Sequence, residues 1–414
     1  MRQQKLATGM ASTISTPRTN PTIKSLTALA VLGAVAATAG AQDGLPVTIS
    51  GFGTGAVTRT NTDLAEFRRV GQASGAGKDW RTGVDSDFGL QASARYNDNL
   101  SFTAQGLVRK QGETDAYTGE LAWAFVKYKI NDDFSVRLGR ISPPIYMISD
   151  VRHVGYANTM LRPSTEVYSQ SPTNSINGGD ILYQHGFGDS TVSAQLAAGT
   201  TKGKSPGTVS NTEMVSAQVQ LENGPFTYRL GHTRANVSIH NPNLERLVAA
   251  VAAARLPVLD QLATIDFNST FTSVGVVMDY KNILAQTEYA KRKAETRLVA
   301  DTSSWYVMLG YRHGKFVPYY LHGNVKQDSI RSFASLPTTG PLAGLSAGVN
   351  GSIKSGQQSS NAVGLRWDFY RSAAFKVQVD RVKPRDGNGT FGNVKPGFNG
   401  RGVTVYAAAI DFVF

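Results

Sequence analysis

The chain has 414 residues, with 42 Lys and Arg against 30 Asp and Glu, a formal net charge of +12, and no Cys. Without Cys there is no disulfide framework and no thiolate metal centre. After residue 41 no run of about 18 apolar residues occurs, which excludes a helical membrane span but not strands that are apolar on one face only.

The first 41 residues read as a secretory signal. Arg2, Lys5, Arg18 and Lys24 precede an uncharged run from Ser25 that ends in Ala39-Gly40-Ala41, a small-residue cleavage site behind an apolar core. That core is too short and too rich in Ala and Gly for a spanning helix, which needs roughly 20 predominantly apolar residues. Met10 offers an alternative start. Removing residues 1–41 takes four cations and no carboxylate, so the net charge falls from +12 to +8. Residues 42–414 read as one domain.

From there to the end, alternating segments of about ten residues recur, separated by short and long connectors in turn. The pattern predicts sixteen strands. Short connectors are Asn97–Asn99, Asn131–Asp133, Gly186–Ser190, Glu222–Pro225, Lys281–Asn282, His313–Lys315 and Tyr370–Ala373, all rich in turn formers. Long connectors fall near 59–79, 110–120, 142–178, 200–212, 234–268, 293–302, 327–358 and 383–401.

Three hairpins show the alternation. Phe88, Leu90, Ala92 and Ala94 share one face while Gln91, Ser93 and Arg95 share the other. Val215, Ala217, Val219 and Leu221 oppose Ser216, Gln218 and Gln220. Val363, Leu365 and Trp367 meet Val377 and Val379, with Arg366, Asp368, Lys376 and Asp380 on the opposite side. Burying those ions in a soluble core would cost several kcal/mol each. An apolar face against lipid and a polar face lining water removes the conflict. The predicted fold is therefore all-β: a transmembrane antiparallel β-barrel of sixteen strands, with short periplasmic turns and long extracellular loops. Aromatics crowd the short turns (Tyr96, Phe134, Phe226, Tyr280, Tyr311, Phe316, Phe369, Phe375), where an interfacial girdle belongs. Pro242–Arg255 breaks the pattern, with Leu244, Leu247, Val248 and Val251 at helical spacing.

The segment Tyr406-Ala-Ala-Ala-Ile-Asp-Phe-Val-Phe414 alternates to its last residue. It resembles the closing strand of Gram-negative porins, through which the barrel assembly machinery recognises them. Glu120–Ile141 resembles the porin stretch in which an Ala-aromatic-Val strand turns back into one ending in Gly-Arg. Gly310–Tyr319 and Gly364–Phe369 resemble late porin hairpins. The resemblance implies that loop 142–178 folds into the barrel, that the protein is a homotrimer in the outer membrane beside lipid and lipopolysaccharide, and that small hydrophilic solutes pass through it. In place of the acidic Pro-Glu-Phe-Gly-Gly-Asp turn of general porins, this loop has Ser149–Tyr156.

A porin needs no cofactor and makes no bond; selectivity comes from pore width and opposed charges. The pore-lining candidates are Arg81, Arg95, Arg109, Lys127, Arg137 and Arg140 on a basic wall, facing Asp150 and Glu166 on the loop. Strict alternation from Phe134 turns Arg140 toward lipid, so a bulge or strand end must turn it inward. The positive balance implies mild anion preference. The competing classes are a barrel enzyme and a plugged structural or adhesin barrel. Gly344-Leu-Ser-Ala-Gly348 matches a nucleophile elbow without its strand-to-helix setting, and Ser149, Asp150 and His153 are close in sequence only. No metal-ligand spacing and no nucleic-acid motif is present.

Overall fold

The computed structural model describes residues 45–414; the leader expected at 1–41 lies outside the described residues. Sixteen long strands form the wall. The first four are β1 (Val47–Thr60), β2 (Asp87–Arg95), β3 (Leu100–Lys110) and β4 (Tyr117–Lys129). Next come β5 (Phe134–Ile141), β6 (Ile176–Phe187), β7 (Ser190–Ser205) and β8 (Thr208–Asn223). Then follow β9 (Phe226–His240), β10 (Phe267–Tyr280), β11 (Ile283–Ala294) and β12 (Thr302–Tyr311). The last are β13 (Phe316–Gln327), β14 (Gln357–Tyr370), β15 (Ala373–Arg385) and β16 (Val403–Val413). Each pairs antiparallel with the next, and β16 pairs with β1, so the sheet closes without an edge. A two-residue bridge, Arg81–Thr82, adds to the loop-side end of β1.

The closure is built on glycine. Phe412 lies opposite Gly53, and a Cβ on Gly53 would sit 2.5 Å from the Phe412 ring; Gly51 stands in the same relation to Phe414 at 2.4 Å. The two aromatic rings thus cover bare backbone on the neighbouring strand, and Phe414 and Gly51 exchange backbone hydrogen bonds of 2.9 and 3.0 Å.

Outside, the apolar set is exposed, as the alternation predicts: Leu138 is 68% and Val363 60% accessible. Each large side chain left in water would forfeit about 1.5–3 kcal/mol, which lipid contact recovers. Among the described residues no helix is long and apolar enough to cross a membrane.

All seven short connectors are turns. One long connector is a correction. Residues 200–212 are not a loop, because β7 and β8 continue to Ser205 and Thr208, leaving only Pro206-Gly207 between them. Proline sets the first turn residue and Gly207 takes φ +67°, so this pair is itself a tight hairpin turn. The helix expected at 242–255 is α2 (Pro242–Ala253), capped by the Asn241 side chain, which accepts from the amides of Asn243 and Leu244; a short turn, α1 (Thr165–Tyr168), precedes it in the chain. A third helix, α3 (Ala343–Ser352), was not visible in the alternation. It packs with α2 around Val251, Leu256, Phe333 and Val349 on the loop side. Ser346 of the elbow-like motif is buried inside α3, so no nucleophile elbow exists there.

Candidate functional site: the barrel interior

The interior is shaped by residues 142–175, which run from β5 to β6 and make their contacts with inward side chains of distant strands. On one side, Glu288 of β11 accepts from the Met147 amide at 3.0 Å and the Tyr168 hydroxyl at 2.6 Å. Arg229 of β9 donates to the Pro144 carbonyl at 2.6 Å, and Ser273 of β10 to the Ile145 carbonyl at 3.1 Å. Tyr146 packs on Phe271 with ring centroids 5.1 Å apart.

The opposite side is held by two cations. Lys376 of β15 donates to the carbonyls of Gly155, Asn158 and Met160 at 2.8, 2.6 and 3.1 Å. Arg366 of β14 donates to those of Tyr156 and Asn158, both at 2.8 Å. Farther along, Arg162 of the loop pairs with Asp85 at 2.7 Å and Asp380 at 2.8 Å. Burial pushes the Asp85 carboxyl up, but the Arg162 guanidinium beside it more than offsets this and holds it below the usual range. The loop is therefore pinned to both sides of the wall, and its buried and partly buried backbone carbonyls are satisfied by charged donors.

Three of the expected residues fall in one cross-strand row: Arg95 opposite Ser101, Ser101 opposite Lys127, and Lys127 opposite Arg137, which in turn faces Asp180. Arg95 is exposed beside a short turn, Lys127 is half-buried, and Arg137 is buried in an ion pair with Asp180. Asp150 approaches this row. Burial raises its pKa, while Arg137 and a hydrogen bond with Ser142 act in the other direction.

Arg109 and Arg81 lie at the loop-side end. A register shift at Gln105/Gly106 leaves Ala122 as an extra residue in β4, which turns Glu120 inward to meet Arg109 at 2.9 Å. Arg81 pairs with Asp115. Arg140 borders an interior recess with Glu120 and hydrogen-bonds Asn177 at 3.1 Å; Gly139 before it has φ +132°, a local break in regular strand geometry. Glu166 stands apart from the basic wall, because it is 1% exposed and accepts from Ser164 and Gln358, both at 2.8 Å. Its role is to hold the loop against β14.

An interior cavity of about 440 Å³ lies between loop 142–175, residues 68–72 and 84–87, and the ends of β3, β7 and β11. A recess of about 280 Å³ joins it along Gln170, Lys204 and Arg292. The cations at the cavity divide into two sets. Arg69 is balanced by Asp85 at 3.5 Å, Arg109 by Glu120, and Lys110 by Asp115 at 3.1 Å. Arg68, Arg152, Lys204 and Arg292 have no carboxylate within ion-pairing distance among the described residues. Arg292 is held by the carbonyls of Gln170 and Ala300 at 2.8 and 2.9 Å, and Arg152 donates to the Thr173 carbonyl at 3.4 Å and lies over the Tyr146 ring, 5.5 Å from its centroid. Burial lowers the Arg152 pKa to about 10, still well above neutrality. His153 beside it is held well below its usual range by burial and by Arg109, Arg152 and Arg69, so it is neutral at pH 7.

Sequence reading did not select Arg152, Arg292 or Arg69. Arg292 was accessible to it, since Gln286, Glu288, Ala290 and Arg292 share the inward face of β11. Arg69 and Arg152 lie in irregular segments, where alternation gives no direction. Ser149, Asp150 and His153 have separate partners: Ser149 accepts from the Tyr146 amide, and His153 faces Asn174 and Asp87. Among the described residues no cluster could hold a metal ion.

Residues 28–332 match the family model described as Gram-negative porin. No curated protein matches the chain. The fold is similar to the anion-selective porin from Comamonas acidovorans, at 13% identity over 89% of this chain and 99% of that one, with a TM-score of 0.55. It is similar to Salmonella typhi OmpF in complex with daunomycin, at 14% identity over 90% and 98%, with a TM-score of 0.53. In-vitro folded OmpT of Vibrio cholerae in its trimer form aligns at 10% identity over 89% and 99%, with a TM-score of 0.51. At these identities the likeness is one of fold.

Proposed function

The chain belongs to the Gram-negative porin family, and on that premise we propose that it is a diffusion channel of the outer membrane that passes small hydrophilic solutes and prefers anions. The observation that carries the preference is the set Arg68, Arg152, Lys204 and Arg292, cations at the cavity without carboxylate partners among the described residues. An uncompensated charge in a narrow wet passage, where low-dielectric walls limit screening, sets the local potential. The other cavity cations are balanced by Asp85, Glu120 and Asp115 and contribute less. The fold neighbour described as anion-selective agrees with this reading.

Among the described residues the two candidate nucleophile patterns do not support bond chemistry: Ser346 is buried in a loop-side helix, and Ser149 and His153 have separate partners. We read the assembly as a homotrimer, in keeping with the neighbour described in a trimer form, and its lipid surroundings as including lipopolysaccharide. Osmotic swelling of liposomes tests the channel. Liposomes holding the refolded protein should swell faster in a small carboxylated sugar than in an amino sugar of the same size. No swelling from a folded barrel would remove the channel reading.

A further inference from the structure

The barrel closes, but its rim is uneven. At the loop side β6 begins at Ile176, and the last residue of β7 paired with it is Thr200, opposite Asn177. β7 continues to Ser205, which carries residues 201–205 roughly 17 Å beyond the top of β6 at a strand's rise per residue. On its other side this stretch is fully paired: Thr201 lies opposite Thr212 and Ser205 opposite Thr208, and β8 in turn pairs with β9 as far as Val209 opposite His240. The three strands therefore stand above the wall as a flap, and the β6-facing side of 201–205 is a free sheet edge.

The hairpin fixes which groups lie on that edge. Across the two-residue turn Pro206-Gly207, Ser205 and Thr208 form a hydrogen-bonded pair, so the odd-numbered residues of β7 bond β8 and the even-numbered ones face β6. Ala198 and Thr200 meet Gly179 and Asn177 there. The amides and carbonyls of Lys202 and Lys204, next in line, have no partner among the described residues. Beside them lies the recess of about 280 Å³, lined by residues 171–175, by 201–204 and, from other strands, by Gln111, Glu120 and Arg140. Two of its polar atoms, Arg140 Nε and Gln111 Oε1, are shielded from solvent and make no hydrogen bond among the described residues. A spare donor and a spare acceptor thus border an unpaired edge.

An unpaired row of backbone groups is a template for another strand, and lysine on such an edge deters any strand that does not neutralise it. Lys202 and Lys204 are both exposed, and Gly203 between them leaves the other face of the strand bare. We propose that this edge binds short acidic peptides in extended form, as solutes on their way into the barrel. The peptide lies antiparallel to β7 in continuation of β6, with a carboxylate side chain opposite each lysine and a bulkier residue over Gly203. Two acids at alternate positions are what the two cations select. The recess joins the larger cavity along Lys204 and Arg292, so a strand bound here sits at the entrance, a position that favours a solute over a segment of another protein. The entry of the peptide rests on the channel reading; its binding does not.

The test is saturation transfer by NMR from the refolded barrel in detergent to acetyl-Glu-Leu-Glu-amide, to acetyl-Lys-Leu-Lys-amide, and to the acidic peptide N-methylated at both glutamates. The wild type should bind only the first. K202S removes one exposed ion pair and should weaken binding about threefold. K202P also removes the free amide and should abolish binding, while the barrel tolerates it, because proline is accepted on an edge whose N–H faces solvent. Heat-modifiable gel mobility establishes that both variants are folded. Equal binding of the N-methylated peptide, or undiminished binding by folded K202P, would reduce the site to charge attraction and overturn the proposal. Liposomes holding the barrel should swell in the acidic peptide. Binding without swelling, in a barrel that passes small sugars, would make the edge a docking surface for another protein, and binding by the monomer but not by the native oligomer would make it a subunit interface; either result overturns the proposal. A barrel that binds the peptide yet passes no sugar would remove the channel reading and leave the peptide site in place.

Discussion

Lys376 and Asp411 form an ion pair at 2.8 Å in which neither side chain is exposed. The pair lies on the inner faces of β15 and β16, and Lys376 spends its other hydrogen bonds on three carbonyls of the interior loop. Removing the cation leaves a buried carboxylate and takes the donor from the Met160 carbonyl, while Asn158 keeps Arg366 and Gly155 keeps the Asn158 amide, so K376M should cost about 3–5 kcal/mol. Urea unfolding followed by gel mobility reads that loss. K376M/D411L should recover part of it, because the isolated charge is gone while the Met160 carbonyl still lacks its donor.

Gly155 sits against the same pair. A Cβ there would lie 2.2 Å from Asp411 Oδ1 and 2.4 Å from Thr54 Oγ1. G155A should therefore push the loop off the wall, lower the unfolding midpoint and broaden single-channel conductance into several levels. A single, unaltered level would show that the loop is not held by this contact.

Two of the unpaired cavity cations, Arg152 and Arg292, make the selectivity prediction. R152Q and R292Q should each lower the anion-to-cation permeability ratio about threefold, the effect of one partly screened charge at the passage. R109Q should shift it less, because Glu120 already offsets Arg109. Reversal potentials of the three variants rank the contributions.

His153 gives a pH dependence of stability. Burial and three nearby arginines depress its pKa in the folded state. Below about pH 6.5 the unfolded chain binds a proton that the folded chain refuses, so stability falls as pH drops through that value. Between pH 7.5 and 5 the urea midpoint of the wild type should fall more than that of H153Q; equal falls would mean that His153 protonates freely in the barrel.

The wall was legible in the sequence because a half-lipid, half-water strand has one repeating instruction. Leu90, Leu138, Val363 and Ile410 point outward as the alternation requires, and turn formers such as Asn97 and Asn131 mark where strands end. Pro206-Gly207 misled because the same residues serve long loops and tight turns, and only the length of the flanking pairing decides. The interior was less legible. Arg95, Lys127 and Arg137 lie on regular strands and fall in one row, whereas Arg69, Arg152 and Arg162 belong to segments whose direction is set by distant partners such as Asp85 and Asp380. Glu166 was expected across the pore, but a carboxylate's surroundings, here Ser164 and Gln358, are a property of packing that spacing does not encode.

Arg152 and Arg292 should contribute much of the anion preference of the passage. The most direct test is the reversal potential of the refolded protein in a planar bilayer under an about tenfold KCl gradient, for the wild type and for R152Q/R292Q. The expected result is stepwise openings, a wild-type potential of the sign set by chloride, and a shift toward zero in the double variant. A wild-type potential of the sign set by potassium, or a double variant that keeps the wild-type value, would contradict it.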